Sequence, residues 1–191
     1  MKKFLLLLAL FFGFLTAVNA ETNRIISGNQ NAKIVILAYE SLTCSHCADF
    51  HKNVYPQLKK DYIDTGLAKI EFRHFPLDAA AFNASKIIQC KHDQGMEILE
   101  SLYSNQQAWI KGNTIEQVNN NLQKFIEKEG FQVNFEKCIN NKEIEEFVLN
   151  DRIEGVKNFK VNATPTIIIN DKKFEKSLNY KNLKETLEKL I

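Results

Sequence analysis

Glycine and proline are scarce in this sequence, with 7 Gly and 3 Pro among 191 residues. Collagen-like chains and Pro- or Gly-rich disordered chains contain far more of both, so these classes are excluded. An excess of one charge is also lacking, because 25 basic residues face 23 acidic ones. A chain so close to neutrality has no electrostatic footprint for nucleic acid or an anionic membrane surface. With 45% hydrophobic residues, the composition is that of a folded globular protein of one or two domains.

Long hydrophobic runs are absent except at the N-terminus. Two lysines precede the apolar run 4–15, and small residues lead up to Ala20. This is the pattern of a cleaved secretory signal, whereas a membrane anchor needs about 20 apolar residues. We therefore expect residues 1–20 to be removed. The remaining chain, 21–191, is expected to be exported to the periplasm.

Cysteine is rare as well, and the four present are Cys44, Cys47, Cys90 and Cys138. In an oxidising compartment cysteines are normally paired, and four of them allow three pairings. The simplest pairing joins the two cysteines that are close in sequence, Cys44 and Cys47, which can meet in the first turn of a helix. It leaves Cys90 to pair with Cys138. A Cys90–Cys138 disulfide would close a long loop and stabilise the fold by about 4 kcal/mol. The alternative is that one of these two cysteines exchanges with the first pair.

Hydrophobic periodicity predicts alternating strands and helices, and hence an α/β fold. Residues 32–39 are predicted as a buried strand, residues 45–64 as a helix kinked at Pro56, and residues 68–75 as a second strand. This order favours a right-handed parallel crossover. Residues 78–160 carry almost no strand signal and are predicted to be a helical insertion. The other predicted elements are helices at 79–90, 97–103, 114–129 and 143–159, strands at 166–169 and 172–174, and a last helix at 180–191.

The chemistry is expected at the motif Cys44-Ser45-His46-Cys47. A cysteine at a helix N-terminus faces unpaired N–H groups and the positive end of the dipole. The charge of His46 would add to that effect, and such surroundings lower a thiol pKa from about 8.5 to between about 3.5 and 7. Cys44 would then attack or be attacked, while Cys47, facing inward, would resolve the mixed disulfide. Stabilising the thiolate stabilises the reduced form, so the disulfide would be an oxidant.

Other uses of the cysteines are less consistent with the spacing. A structural zinc site needs four ligands, and Cys90 with His92 is a poor second pair. Covalent haem attachment needs a histidine directly after the second cysteine, where this chain has Ala48. We therefore predict no metal and no cofactor. A purely structural Cys44–Cys47 bridge remains the alternative, and thiol reactivity at acidic pH would distinguish it.

The C-x-H-C motif at a strand-to-helix junction, together with Thr164-Pro165-Thr166 before an apolar strand, resembles the DsbA family. These are exported thiol:disulfide oxidoreductases with a thioredoxin-like fold and a helical insertion. The likeness spans residues 34–191. It implies that Pro165 is a cis-proline facing the cysteines and that the Thr164 backbone pairs with an extended substrate. It also implies catalysis by Cys44 and Cys47, with His46 between them.

Two departures from the family pattern affect the expected site. Many members have proline where this chain has Ser45, and many carry an acidic residue where this chain has Ala38. Glu40 lies on the same strand face as Ala38, which makes it a candidate for proton transfer. His51, four residues after Cys47, is close enough in sequence to flank the site, but we expect an exposed helix histidine.

Three functions remain open from the sequence. The favoured one is a monomeric oxidase that passes its disulfide to unfolded, cysteine-containing exported proteins and is reoxidised by a membrane partner of the DsbB type. A disulfide isomerase or reductase of the same fold is the second. The third is a non-catalytic, chaperone-like binding module with a structural bridge.

Overall fold

The computed structural model describes residues 24–191, so the predicted signal segment 1–20 lies outside the described residues. One five-stranded sheet forms the centre, in the order β1-β3-β2-β4-β5. The strands β2 and β3 are parallel, whereas β1 pairs antiparallel with β3, and β4 pairs antiparallel with both β2 and β5. The strands are β1 (Ile25–Gly28), β2 (Ile34–Glu40), β3 (Ala68–His74), β4 (Thr166–Ile169) and β5 (Lys172–Lys173).

Helices occupy most of the chain between β3 and β4. Within residues 24–191, no helix is both long and apolar enough to cross a bilayer. The helices are α1 (Ser45–Asn53), α2 (Tyr55–Leu58), α3 (Ala79–Cys90), α4 (Gly95–Ser104), α5 (Gln106–Trp109), α6 (Ile115–Lys128), α7 (Phe135–Ile139), α8 (Lys142–Phe159) and α9 (Tyr180–Leu187), with a π-helical segment at Lys59–Ile63 and a 3-10 turn at His92–Gln94.

Short polar residues cap the N-termini of five of these helices. The side-chain oxygen of each capping residue accepts a hydrogen bond from a backbone N–H in the first turn, which pairs a donor that has no partner inside the helix. Such caps begin α3, α6, α7, α8 and α9 at Asp78, Thr114, Asn134, Asn141 and Asn179 respectively.

The predicted α/β class and the parallel crossover are confirmed. The long first helix is broken rather than kinked at Pro56: α1 ends at Asn53, and α2 begins at Tyr55. The break precedes the proline because its ring would clash with the carbonyl of the residue four positions earlier. Strand β1 and the short helices α5 and α7 were not predicted, since each spans only four or five residues and none is an unbroken apolar run like that of β4.

A large apolar core covers one face of the central strands. A smaller separate cluster, made of Tyr39, Phe75, Val161 and Ile168, lies on the other face. Ile36, Ala38 and Ile70 on β2 and β3 are fully buried. Trp109 is also fully buried, and its indole N–H donates to the carbonyl of Leu102 at 3.0 Å. The helical segment is tied together by a disulfide between the cysteine at the end of α3 and the one in α7, Cys90 and Cys138.

Candidate active site

Cys44 is the N-cap residue of α1, immediately after the loop that follows β2. Its extended backbone lets its carbonyl accept the N–H groups of Cys47 and Ala48, each at 3.2 Å. The sulfur therefore stands at the end of the helix where N–H groups lack partners, as the sequence predicted. Cys44 is partly exposed and Cys47 is buried, and both are free thiols.

The segment Thr164-Pro165, which precedes β4, lies next to Cys44 in the fold. The peptide bond between Thr164 and Pro165 is cis. The thiol of Cys44 donates to the carbonyl oxygen of Thr164 at 3.3 Å, although 120 residues separate the two in sequence. This contact places the Thr-Pro segment directly beside the more accessible sulfur.

The surroundings of Cys44 lower the pKa of its thiol to about 5. The largest cause is a hydrogen bond from the Cys47 thiol to the sulfur; burial opposes it, and a side-chain hydrogen bond from Thr164 and the backbone N–H groups of Cys47 and His46 assist. The imidazole of His46 is exposed. The predicted thiolate is thus stabilised chiefly by hydrogen bonds to the charged form, with His46 contributing through its backbone.

The pKa of the Cys47 thiol is shifted in the opposite direction. Its side chain is fully buried, and burial raises the pKa of its thiol far above the ordinary value. The hydrogen bond to Cys44 and the negative charge of Glu40 raise it further. One cysteine of the motif is therefore poised as a thiolate, while the other holds its proton.

Glu40 and His51 form a buried pair behind Cys47. Glu40 ends β2 and is 5% exposed, and its Oε2 lies 2.8 Å from Nε2 of His51. The expectation that His51 is exposed was wrong, because α1 turns this residue inward onto the aromatic ring of Tyr103, with ring centroids 4.3 Å apart. The helical spacing of four residues from buried Cys47 was the signal for this inward face. Ala38, which stands where many family members carry an acid, is fully buried in the sheet.

Gln106 is a site residue that sequence reasoning missed. It lies in α5 and is buried, and its Nε2 donates to the carbonyls of Leu42 and Cys44 at 2.8 and 3.0 Å. No local pattern marks it, since the contact joins segments more than 60 residues apart. Ser45, by contrast, is exposed at the start of α1.

An open cavity of about 590 Å³ lies beside the motif. It is bounded by α1 on one side and by the Thr-Pro segment and the start of α9 on the other. An extended peptide reaching Cys44 would find both apolar and polar groups there. Its lining includes His46, Asp49, Phe50, Thr164, Pro165 and Tyr180.

Comparison with known proteins gives a family match over most of the chain. A family model described as Thioredoxin matches residues 20–189. Disulfide bond formation protein D of Bacillus subtilis is 25% identical over 174 residues, which cover 86% of this chain and 75% of that protein. A candidate protein-disulfide oxidoreductase of Rickettsia bellii is 32% identical over 102 residues, 52% of this chain and 39% of that protein. The chain thus spans less than two thirds of the length of this Rickettsia protein.

Solved structures show the same relationship in three dimensions. The crystal structure of alpha-DsbA1 from Wolbachia pipientis superimposes with a TM-score of 0.77 and 29% sequence identity, covering 88% of this chain and 90% of that one. The chain therefore belongs to the thioredoxin family, and its fold is the thioredoxin-like fold of the DsbA proteins.

Proposed function

We propose that this chain is a periplasmic protein thiol:disulfide oxidoreductase that donates the Cys44–Cys47 disulfide to newly exported proteins. The observation that carries the proposal is the asymmetry of the two thiols: the pKa of Cys44 is lowered to about 5, and that of buried Cys47 is raised. Related proteins are named for disulfide formation, as is the Bacillus subtilis protein.

The asymmetry favours an oxidant. A thiolate stable at pH 7 stabilises the reduced protein, by about 2 kcal/mol when solvent screening at partly exposed Cys44 is allowed for. A reduced form stabilised in this way makes the disulfide easier to reduce, so it tends to pass to other proteins. The low pKa also makes Cys44 a good leaving group when the substrate completes its own disulfide.

The neighbouring groups suit an unfolded polypeptide as substrate. In this proposal an extended segment pairs with the backbone of Thr164 beside Pro165 and presents a cysteine to Cys44. The cavity beside α1 receives the flanking side chains, and His46 is among the residues that line it. A membrane reoxidase of the DsbB type would restore the disulfide, and the chain would act as a monomer.

The reduction potential of the Cys44–Cys47 pair against glutathione tests the proposal. The measurement uses the chain from residue 21 with Cys90 and Cys138 intact. We expect a value between about −120 and −180 mV, in the range of disulfide donors. A value of about −270 mV or lower would reject the oxidase and assign the pair to a reductase or a structural bridge.

A further inference from the structure

We infer that the substrate path continues past Pro165 into a small basic cavity, where Lys173 and Lys176 favour exported segments with acidic residues on one side of the reacting cysteine. This inference rests on the proposed function and names a class of substrate for it. The basic cavity is the open space of about 230 Å³ whose lining residues all lie between positions 162 and 178. Lys173 and Lys176 are the charged residues of that lining.

The basic cavity is continuous with the larger cavity beside α1. Pro165 and Leu178 line both, so the two spaces meet at these residues. Thr164 directly precedes Pro165, and its carbonyl oxygen lies 3.3 Å from the sulfur of Cys44. An extended segment whose cysteine reacts with Cys44, and which continues away from α1, therefore passes Pro165 and enters the basic cavity.

The lining of the basic cavity combines apolar and basic groups. Phe174 and Leu178 are partly buried and pack against the large apolar core. Lys173 is half-buried and Lys176 is exposed. Lysine lays its methylene stem along apolar surface and keeps its ammonium group in water. A segment that offers both apolar side chains and carboxylates therefore matches this lining.

Both lysines are available to a substrate carboxylate. Lys173 has no carboxylate partner within residues 24–191. The Nζ of Lys176 lies 3.4 Å from Oε2 of Glu185, but both side chains are about half exposed, at 48% and 47%. An ion pair this exposed contributes little to stability. An acidic residue of a bound segment can therefore replace Glu185 at Lys176.

The distribution of charge along the chain favours the same class of substrate. Residues 160–191, which follow α8 and include the Thr-Pro segment, β4, β5 and α9, carry 7 lysines and 4 acidic side chains. Residues 24–159 carry 16 basic and 18 acidic side chains. A locally positive region attracts acidic partners over about one Debye length, which is about 10 Å at 0.1 M salt.

Carboxylates at the two ends of the path limit where a substrate acid is favoured. Asp49 lines the cavity beside α1. Glu175 lines, together with Lys172, a further cavity of about 430 Å³ that shares Lys173 and Lys176 with the basic cavity. The basic cavity itself has no carboxylate in its lining. We therefore expect the preference for acidic residues on one flank of the substrate cysteine and not on the other.

The test measures a single exchange step with reduced Cys47→Ser protein, from residue 21 onwards. Each unstructured peptide has one cysteine, bound as a mixed disulfide to thionitrobenzoate. The Cys44 thiolate attacks the peptide sulfur, the peptide's disulfide bond breaks, and coloured thionitrobenzoate leaves with the electron pair. Four peptides carry three aspartates or three lysines, either before or after the cysteine. Each rate is divided by that peptide's rate with the neutral thiol mercaptoethanol, which removes the effect of charge on the disulfide itself.

The expected result is a charge preference that depends on salt and on side. On one flank, the aspartate peptide should react about fivefold faster than the lysine peptide at low salt, as two exposed charge pairs allow. At about 0.5 M salt the ratio should fall below about twofold, because exposed charges are screened. On the other flank the two peptides should react within about twofold of each other at both salt concentrations.

Charge variants in the same Cys47→Ser background test the two lysines. Lys173→Gln/Lys176→Gln should lose the preference. The matched control Lys124→Gln/Lys128→Gln has the same net charge and changes two exposed residues of α6, so it should keep the preference. Glu185→Gln removes the partner of Lys176 and should increase it. Because every ratio compares peptides on one variant, a general loss of reactivity cancels.

Four results would overturn the inference: equal corrected rates for aspartate and lysine peptides at low salt, the same preference on both flanks, a preference that persists in Lys173→Gln/Lys176→Gln, or a preference lost equally in Lys124→Gln/Lys128→Gln. A smaller ratio in Glu185→Gln would contradict the role of Lys176. The proposed function fails differently, if oxidised wild type forms no disulfide in two-cysteine peptides of either charge.

Discussion

The side-chain amide of Gln106 donates a hydrogen bond to the carbonyl oxygen of Cys44 at 3.0 Å. The same nitrogen donates to the carbonyl of Leu42 at 2.8 Å. One buried amide on α5 thus fixes the loop that delivers Cys44 to the start of α1. The helical segment between β3 and β4 therefore takes part in positioning Cys44.

Replacing Gln106 with leucine tests this support. Gln106→Leu leaves two loop carbonyls without their donor, and we expect a loss of about 1–3 kcal/mol in the free energy of unfolding. We also expect the pKa of Cys44 to change, because the loop sets the position of its sulfur. Urea unfolding and thiolate absorbance measure the two effects. Gln107→Leu, at the exposed neighbouring position, should change neither, and equal behaviour of the two variants would contradict the role of Gln106.

The ionisation of Cys44 makes the stability of the reduced protein depend on pH. The folded pKa of about 5 lies below the unfolded value of about 8.5. The thiolate therefore stabilises the fold in full above the unfolded value, and its contribution is lost as the pH falls through 5. Between pH 7 and 4.5 we expect reduced wild type to lose about 2 kcal/mol relative to Cys44→Ser, after allowance for screening.

Oxidised wild type is the control for this pH dependence, since a bridged Cys44 cannot ionise. Its difference from Cys44→Ser should stay constant over the same range. A reduced protein whose advantage over Cys44→Ser does not shrink towards pH 4.5 would show that the thiol is not ionised at neutral pH.

The disulfide between Cys90 and Cys138 is expected to stabilise the fold without taking part in exchange. It closes a loop with a sequence separation of 48 residues, for which chain entropy predicts about 4 kcal/mol. The double variant Cys90→Ser/Cys138→Ser should therefore unfold at a much lower urea concentration, while its Cys44–Cys47 reduction potential stays that of the wild type. A changed potential would indicate exchange between the two pairs.

Gly155 sets how closely α8 approaches the sheet. A Cβ at this position would lie 2.7 Å from Cε1 of Tyr39, which is 1% exposed and packed against Phe75 and Phe159. Alanine improves helix propensity by about 1 kcal/mol, but overpacking costs about 1–3 kcal/mol. Because the ring is enclosed, we expect Gly155→Ala to be destabilising in thermal unfolding. Lys157→Ala, exposed on the same helix, should not be; equal melting temperatures for the two would contradict the contact.

Much of the fold could be predicted from local signals. Residues 79–90 and 166–169 were predicted with the bounds that the structure has, because apolar period, capping residues and β-branched runs act over a few neighbouring residues. The position of Cys44 at a helix N-terminus followed in the same way, since a strand and a polar loop precede it in sequence. The bridged pair of the helical segment was anticipated from the cysteine count alone.

The remaining features depend on contacts that no local pattern contains. Strand β1 is defined by its pairing with β3, some 45 residues away. The hydrogen bond from Gln106 to the carbonyl of Cys44 likewise joins two segments that are distant in sequence. His51 was expected to be exposed, yet α4 and β3 cover it with Tyr103 and Phe72. The sequence by itself determined the α/β order and the placing of the Cys44–Cys47 motif where a strand gives way to a helix. Tertiary packing decided which side chains surround that pair, because burial and long-range hydrogen bonds arise only when distant elements meet.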